Sequence, residues 1–108
     1  MIGAIIGDII GSRFEFINAP EPGFELFTEQ CSYTDDTICT VAIADAILNH
    51  RSYKESLLDW CRRYPDPMGG YGNMFYHWLN SDDPQPQNSF GNGSAMRVSP
   101  VGWLFDDY

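Results

Sequence analysis

Residues 33–37 read YTDDT and run straight into the apolar stretch ICTVAIADAIL. Thr34, Asp35, Asp36 and Thr37 place carboxylate and hydroxyl oxygens within one turn of chain. Hard oxygen donors of this kind suit Mg²⁺ or Mn²⁺. Two adjacent carboxylates repel each other, and a divalent cation removes that penalty. A second reading stands beside the first: Thr34 or Asp35 caps the following helix and Asp36 complements its dipole. Capping is the default role of these residue types, so the stretch alone leaves both readings open.

The segment GNGSAMR (91–97) is the next chemical candidate. Small, permissive residues before a helix leave backbone N–H groups free, which suits a phosphate or pyrophosphate. An ordinary loop with Asn92 or Ser94 as N-cap explains the same letters. No GK[ST] follows, so this is not a P-loop. GGYGNMFYHW (69–78) offers aromatic faces on which a base or ribose can stack, although core packing accounts for Phe75, Trp78 and Leu79. His77 reads as a packing histidine and His50 as a cation at a helix C-terminus. Neither has a partner at triad spacing, so acyl transfer finds no support.

The elements that position these residues are helical. MIGAIIGDIIGS reads as a first helix ending near Ser12, with Gly3, Gly7 and Gly11 on one face. Glycine costs roughly 1 kcal/mol per helical site, and the expected return is close approach by a neighbouring helix. Asp8, among isoleucines, reads as a buried hydrogen-bond anchor. Residues 18–33 form a long loop of the kind that is often functional. The helix after YTDDT is apolar on most faces and is expected to be central. Ser52 and Glu55 form a capping box, and the helix they open closes at Tyr64, before Pro65. A short aromatic helix, a second long loop and a last helix from Ser94 follow, with Pro100 expected to stop or kink the last. No strand pattern and no internal repeat emerges; the class is all-α.

At 108 residues the chain makes one domain, spanning 1–108, with a modest core. Its formal charge is -9, from 15 acidic and 6 basic residues. Such a surface disfavours nucleic-acid backbones and anionic membranes. The three cysteines form no CxxC pair, which fits reduced, buried thiols and a cytoplasmic location. The N-terminal stretch lacks the basic region of a signal peptide and is too short to span a bilayer.

Taken in order, GAIIGDIIGSRFEF, YTDDT before an apolar helix, and YPDPMGGYGNMFYHWLNSDDPQPQNSFGNGSAMRVSPVGW resemble the N-terminal part of the ADP-ribosylglycohydrolase family, which includes the dinitrogenase reductase-activating glycohydrolases. The resemblance runs from Met1 to about Phe105. It implies an all-α fold with a pair of Mg²⁺ or Mn²⁺ ions, and cleavage of the glycosidic bond between ADP-ribose and a protein side chain or other acceptor. On this resemblance Thr34, Asp35 and Asp36 supply one half of the metal shell. Glu15 lies near the metals with a gating or catalytic role. Gly91, Asn92, Gly93, Ser94, Ala95, Met96 and Arg97 match the loop that cradles phosphates and the distal ribose, and Tyr71 and Gly72 match a turn lining the cleft. Asp36 or Glu15 would serve as general base. The family's C-terminal D-x-D-D-x-T-type motif has no counterpart; the nearest acidic pair is Asp106-Asp107. The chain therefore reads as a fragment with half a metal shell. It is expected to expose apolar surface that favours a homodimer. The competing reading is a non-catalytic ADP-ribose-binding or structural remnant.

Overall fold

A computed structural model describes residues 2–16, 20–87 and 93–103. Six helices account for its regular structure: α1 (Ile2–Gly11), α2 (Asp35–Leu48), α3 (Tyr53–Arg63), α4 (Asn73–Leu79), α5 (Gly93–Met96) and α6 (Ser99–Gly102). A 3₁₀ turn, Ser12–Phe14, follows α1. Among the described residues the only β pairing is an isolated parallel bridge between Thr34 and Met68. The fold is all-α, as the residue pattern implies. No helix among the described residues is long and apolar enough to cross a membrane.

α2 is the centre of the molecule because its apolar residues go all the way round. Ile38, Cys39, Ala42, Ile43, Ala44 and Ala46 are buried, along with Thr40. α2 packs most extensively on α3 and also touches α1, α5 and α6. Small residues permit the close α2–α3 crossing: Ala42 and Ser56 are both fully buried, and the Ser56 hydroxyl donates to the Ala42 carbonyl at 2.5 Å. Cys39 and Cys61 meet across the same interface with their sulfurs 3.9 Å apart. Both are free thiols, as is Cys31. The hydrogen bond to Cys61 and burial push the Cys39 thiol up, so it stays protonated in the core.

Local signals set the helix ends. Ser52 caps α3 by accepting from the Glu55 N–H at 3.0 Å, and α3 closes at Tyr64, before Pro65. Asp45 collects Arg51 at 2.7 Å and the Trp60 indole N–H at 2.8 Å, tying the end of α2 to α3. The C-terminal region departs from expectation. Instead of one helix stopped or kinked at Pro100 there are two short ones, broken at Arg97–Val98, just ahead of the proline. Pro100 falls in the first turn of α6, where its missing N–H has no helical partner to lose. Proline here starts a helix rather than ending one.

The glycine stripe also departs from expectation. A Cβ built on Gly3, Gly7 or Gly11 would meet nothing within 4 Å. No described helix exploits the close approach those glycines permit. α1 is strongly apolar yet has no buried residue. Ile2, Gly3, Leu48 and Trp103 help line an open groove of about 690 Å³ between α1, α2 and α6. The exposed apolar surface expected from the sequence is therefore present, with Ile2 71% and Trp103 76% exposed.

Candidate metal and ADP-ribose site

The N-terminus of α2 is organised by α1. Asp8 Oδ1 accepts the Thr34 hydroxyl, and Oδ2 accepts the Thr34 backbone N–H at 2.9 Å and the Thr37 hydroxyl at 2.6 Å. The reading of Asp8 as a hydrogen-bond anchor is thus realised, and its partners are the two threonines that flank Asp35-Asp36. Thr34 is buried and is the N-cap of α2: its extended backbone lets Oγ1 accept the Asp36 N–H at 3.2 Å. Capping does not exhaust this oxygen. Donating to Asp8 and accepting from Asp36 uses the proton and one lone pair of Thr34 Oγ1, which leaves a second lone pair.

Asp35 and Asp36 follow in the first turn, half-buried. Burial raises the Asp36 carboxyl above its usual range, and the charges of Asp8 and Asp35 raise it further. Asp35 is also raised, by burial first, although the Asp36 backbone N–H partly offsets this. Glu15, at the end of the 3₁₀ turn, is raised by desolvation and then by Asp35, Asp8 and Asp36. The structure thus brings Glu15 from the first segment beside the YTDDT turn. Arg97, just after α5, is the cation whose field lowers both Asp35 and Asp36. Its guanidinium lies 4.8 Å from the centre of the Phe75 ring.

Hard-cation chemistry is testable on these atoms. Asp36 Oδ1 is buried and, among the described residues, accepts no hydrogen bond. A buried carboxylate oxygen without a donor is costly unless something cationic takes its place. Thr34, Asp35 and Asp36 offer oxygen donors of the type that a Mg²⁺ or Mn²⁺ shell takes. They do not make a whole one: among the described residues no three Asp, Glu, His or Cys side chains are grouped to hold a metal ion by themselves.

The raised carboxylates fix a pH dependence. A carboxyl raised by folding binds protons more readily folded than unfolded, so its contribution to stability is present at low pH and lost as pH rises through the raised value. The window opens at the ordinary values, 3.8 for Asp and 4.5 for Glu, and extends upward. In chelator, the melting temperature is expected to fall as pH rises above those ordinary values. With excess Mn²⁺ that fall should flatten or reverse, because the cation favours the ionised forms. A metal-free curve that rises through the window would contradict this electrostatic picture.

The remaining sequence candidates fall in several places. Gly91 and Asn92 lie outside the described residues. Gly93, Ser94, Ala95 and Met96 form α5, which packs on α2, and Met96 sits against the core. Tyr71 donates its hydroxyl to the Tyr64 carbonyl at 2.7 Å and tilts against Phe75 with centroids 5.5 Å apart. Burial pushes its phenol up, which keeps it a donor, and leaves the ring face as what it can offer a ligand. Gly72 is the N-cap of α4. His77 is exposed, edge-on to Tyr76 at 5.8 Å.

The Pro67–Gly70 turn contributes a residue that the sequence did not mark. Met68 donates to the Tyr33 carbonyl at 3.4 Å, docking the turn beside Thr34. Gly69 has φ +80, and a Cβ there would lie 2.7 Å from Glu15 Oε2. The adjacent glycines of PMGG were the available signal, since a paired glycine often marks left-handed backbone.

The fold is all-α, with Glu15 and Arg97 in the field of an acidic helix start. The sequence profile of the ADP-ribosylglycohydrolase family matches residues 1–108, and the chain belongs to that family. It is 28% identical over 145 residues to the ADP-ribosylhydrolase ARH3 of Gallus gallus, covering 99% of this chain and 39% of that protein. The ARH3 of Mus musculus is 29% identical over 140 residues, covering 97% of this chain and 37% of its own. The uncharacterized protein YegU of Escherichia coli K12 is 28% identical over 91 residues, covering 72% of this chain and 27% of its own. The chain thus spans about two-fifths of the length of the ARH3 relatives. No solved structure matches it at a significant level.

Proposed function

We propose that this chain carries the Thr34–Asp36 side of the active site of a divalent-cation-dependent ADP-ribosyl hydrolase, which cleaves the bond between the anomeric ribose carbon of ADP-ribose and its acceptor. Family membership supports the reaction class. The observation that supports the metal is Asp36 Oδ1, which is buried and has no hydrogen-bond donor among the described residues, in the field of Asp8, Asp35 and Glu15. Mg²⁺ or Mn²⁺ held by Thr34, Asp35 and Asp36 would supply Lewis acidity toward ribose hydroxyls and water.

The chain's own groups supply the rest. Glu15, exposed and with its carboxyl raised by desolvation and by Asp35, Asp8 and Asp36, would take a proton from the attacking water. Asp36 is the second base candidate. The α5 region, with Gly93, Ser94 and Ala95, and the residues preceding it, Gly91 and Asn92, would receive the pyrophosphate. Tyr71 and Gly72 would border the nucleotide, the former with its ring. Arg97 offsets the acidic field that an anionic ligand must approach.

A non-catalytic ADP-ribose-binding role is the second reading, favoured by the incomplete ligand set among the described residues. Calorimetry with Mn²⁺ and with ADP-ribose, together with release of ADP-ribose from a modified protein, separates the two. Mn²⁺ binding with turnover supports hydrolysis. ADP-ribose binding without Mn²⁺ binding or turnover overturns it in favour of the second reading.

A further inference from the structure

We propose that Asp8 is a positioning residue that holds the Thr34 hydroxyl with its proton turned away from the cation, making Thr34 oxygen a ligand. This rests on the reading of Thr34 as part of a metal shell. A threonine hydroxyl is both donor and acceptor, and it ligates a cation only when its hydrogen is directed elsewhere. In this structure the direction is fixed. The Thr34 hydroxyl and the Thr34 backbone N–H donate to the two oxygens of one Asp8 carboxylate. A carboxylate is acceptor-only, so the hydroxyl has to be the donor in that pair. The Asp36 N–H occupies one lone pair of Thr34 Oγ1, and the other remains for a cation.

Asp8 is itself held. Thr37 donates to Oδ2 from the next position after the acidic pair, so the carboxylate is braced from both sides of Asp35-Asp36. An asparagine at position 8 cannot reproduce this. With its amide oxygen toward the Thr34 hydroxyl, its NH₂ opposes the Thr34 N–H and faces Thr37. With the amide reversed, NH₂ donates to Thr34 Oγ1 and drives the hydroxyl proton toward the cation side. Either arrangement weakens Thr34 as a ligand while conserving shape. Partners that orient a metal ligand typically carry 10- to 100-fold in metal affinity.

The test is a double-mutant cycle in Mn²⁺ affinity, read by electron paramagnetic resonance of free Mn²⁺. Asp8→Asn and Thr34→Val should each weaken binding, Asp8→Asn by roughly 10- to 100-fold. The double variant should bind no more weakly than Thr34→Val alone, because Asp8 acts through the hydroxyl that valine lacks. A purely structural Asp8 predicts additive losses, and additivity overturns the proposal. Far-UV circular dichroism reports whether Asp8→Asn folds. If it does not, Thr37→Val replaces it in the cycle, since it loosens the same carboxylate; a Mn²⁺ loss that persists on the Thr34→Val background overturns the proposal equally. Wild-type chain that binds no Mn²⁺ would sink the metal reading and this inference together. Wild-type binding with unchanged affinity in Asp8→Asn would sink this inference alone.

Discussion

Asp36→Asn is expected to abolish cation-dependent release of ADP-ribose, by at least about a hundredfold, while the melting temperature in chelator stays level or rises. The two halves of this result have one cause. In the metal-free fold the ionised Asp36 is disfavoured by burial and by the charges of Asp8 and Asp35. Its Oδ1 gains no hydrogen bond among the described residues in return. A carboxylate retained under those conditions contributes nothing to stability that asparagine would forfeit. The helix cap is supplied by Thr34, whose Oγ1 takes the Asp36 backbone N–H and not its side chain. Asparagine keeps the shape but turns one acceptor into a donor, which a cation cannot use. Thermal melts in chelator and in Mn²⁺, run beside the release assay, check both halves. A drop of many degrees in chelator would mean that Asp36 is a structural residue. Undiminished release would remove it from the site.

The balance between cap and cation explains what the sequence could show. Thr34, Asp35 and Asp36 stand out in the sequence as candidates because their types, and their place before a uniformly apolar helix, restrict the chemistry. α2 was legible as central because apolar residues on every face leave no side for solvent. Asp8 was legible as a polar group needing a partner, but its partners lie 26 and 29 positions away, and no local pattern names them. Proline can stop a helix, kink it or start one, and only the break at Arg97–Val98 shows which holds at Pro100. Gly3, Gly7 and Gly11 share a face as expected, yet no described neighbour occupies it. Periodicity marks a surface and does not say what covers it. Arg97 reached Asp35 and Asp36 through the packing of α5 on α2, a tertiary fact.

Gly69→Ala is expected to lower kcat by about a hundredfold with little change in Mn²⁺ affinity. The left-handed backbone at φ +80 costs any L-residue roughly 1–2 kcal/mol, and that alone would touch only stability. The added Cβ does more. It would stand 2.7 Å from Glu15 Oε2 and 3.2 Å from the Phe16 ring, so something must move. The turn cannot readily retreat, because Met68 is bonded to the Tyr33 carbonyl and bridged to Thr34. Glu15 is exposed and gives way first, leaving the position beside Asp35 and Asp36 from which it would act as base. Gly70 supplies the control. It also has positive φ, +69, but a Cβ there meets nothing within 4 Å. Gly70→Ala therefore carries similar backbone strain without the clash, and should lose stability while keeping most of kcat. The difference in kcat between these two variants isolates the displacement of Glu15 from the strain of the turn. Equal kcat in the two would mean that the position of Glu15 does not govern the chemical step.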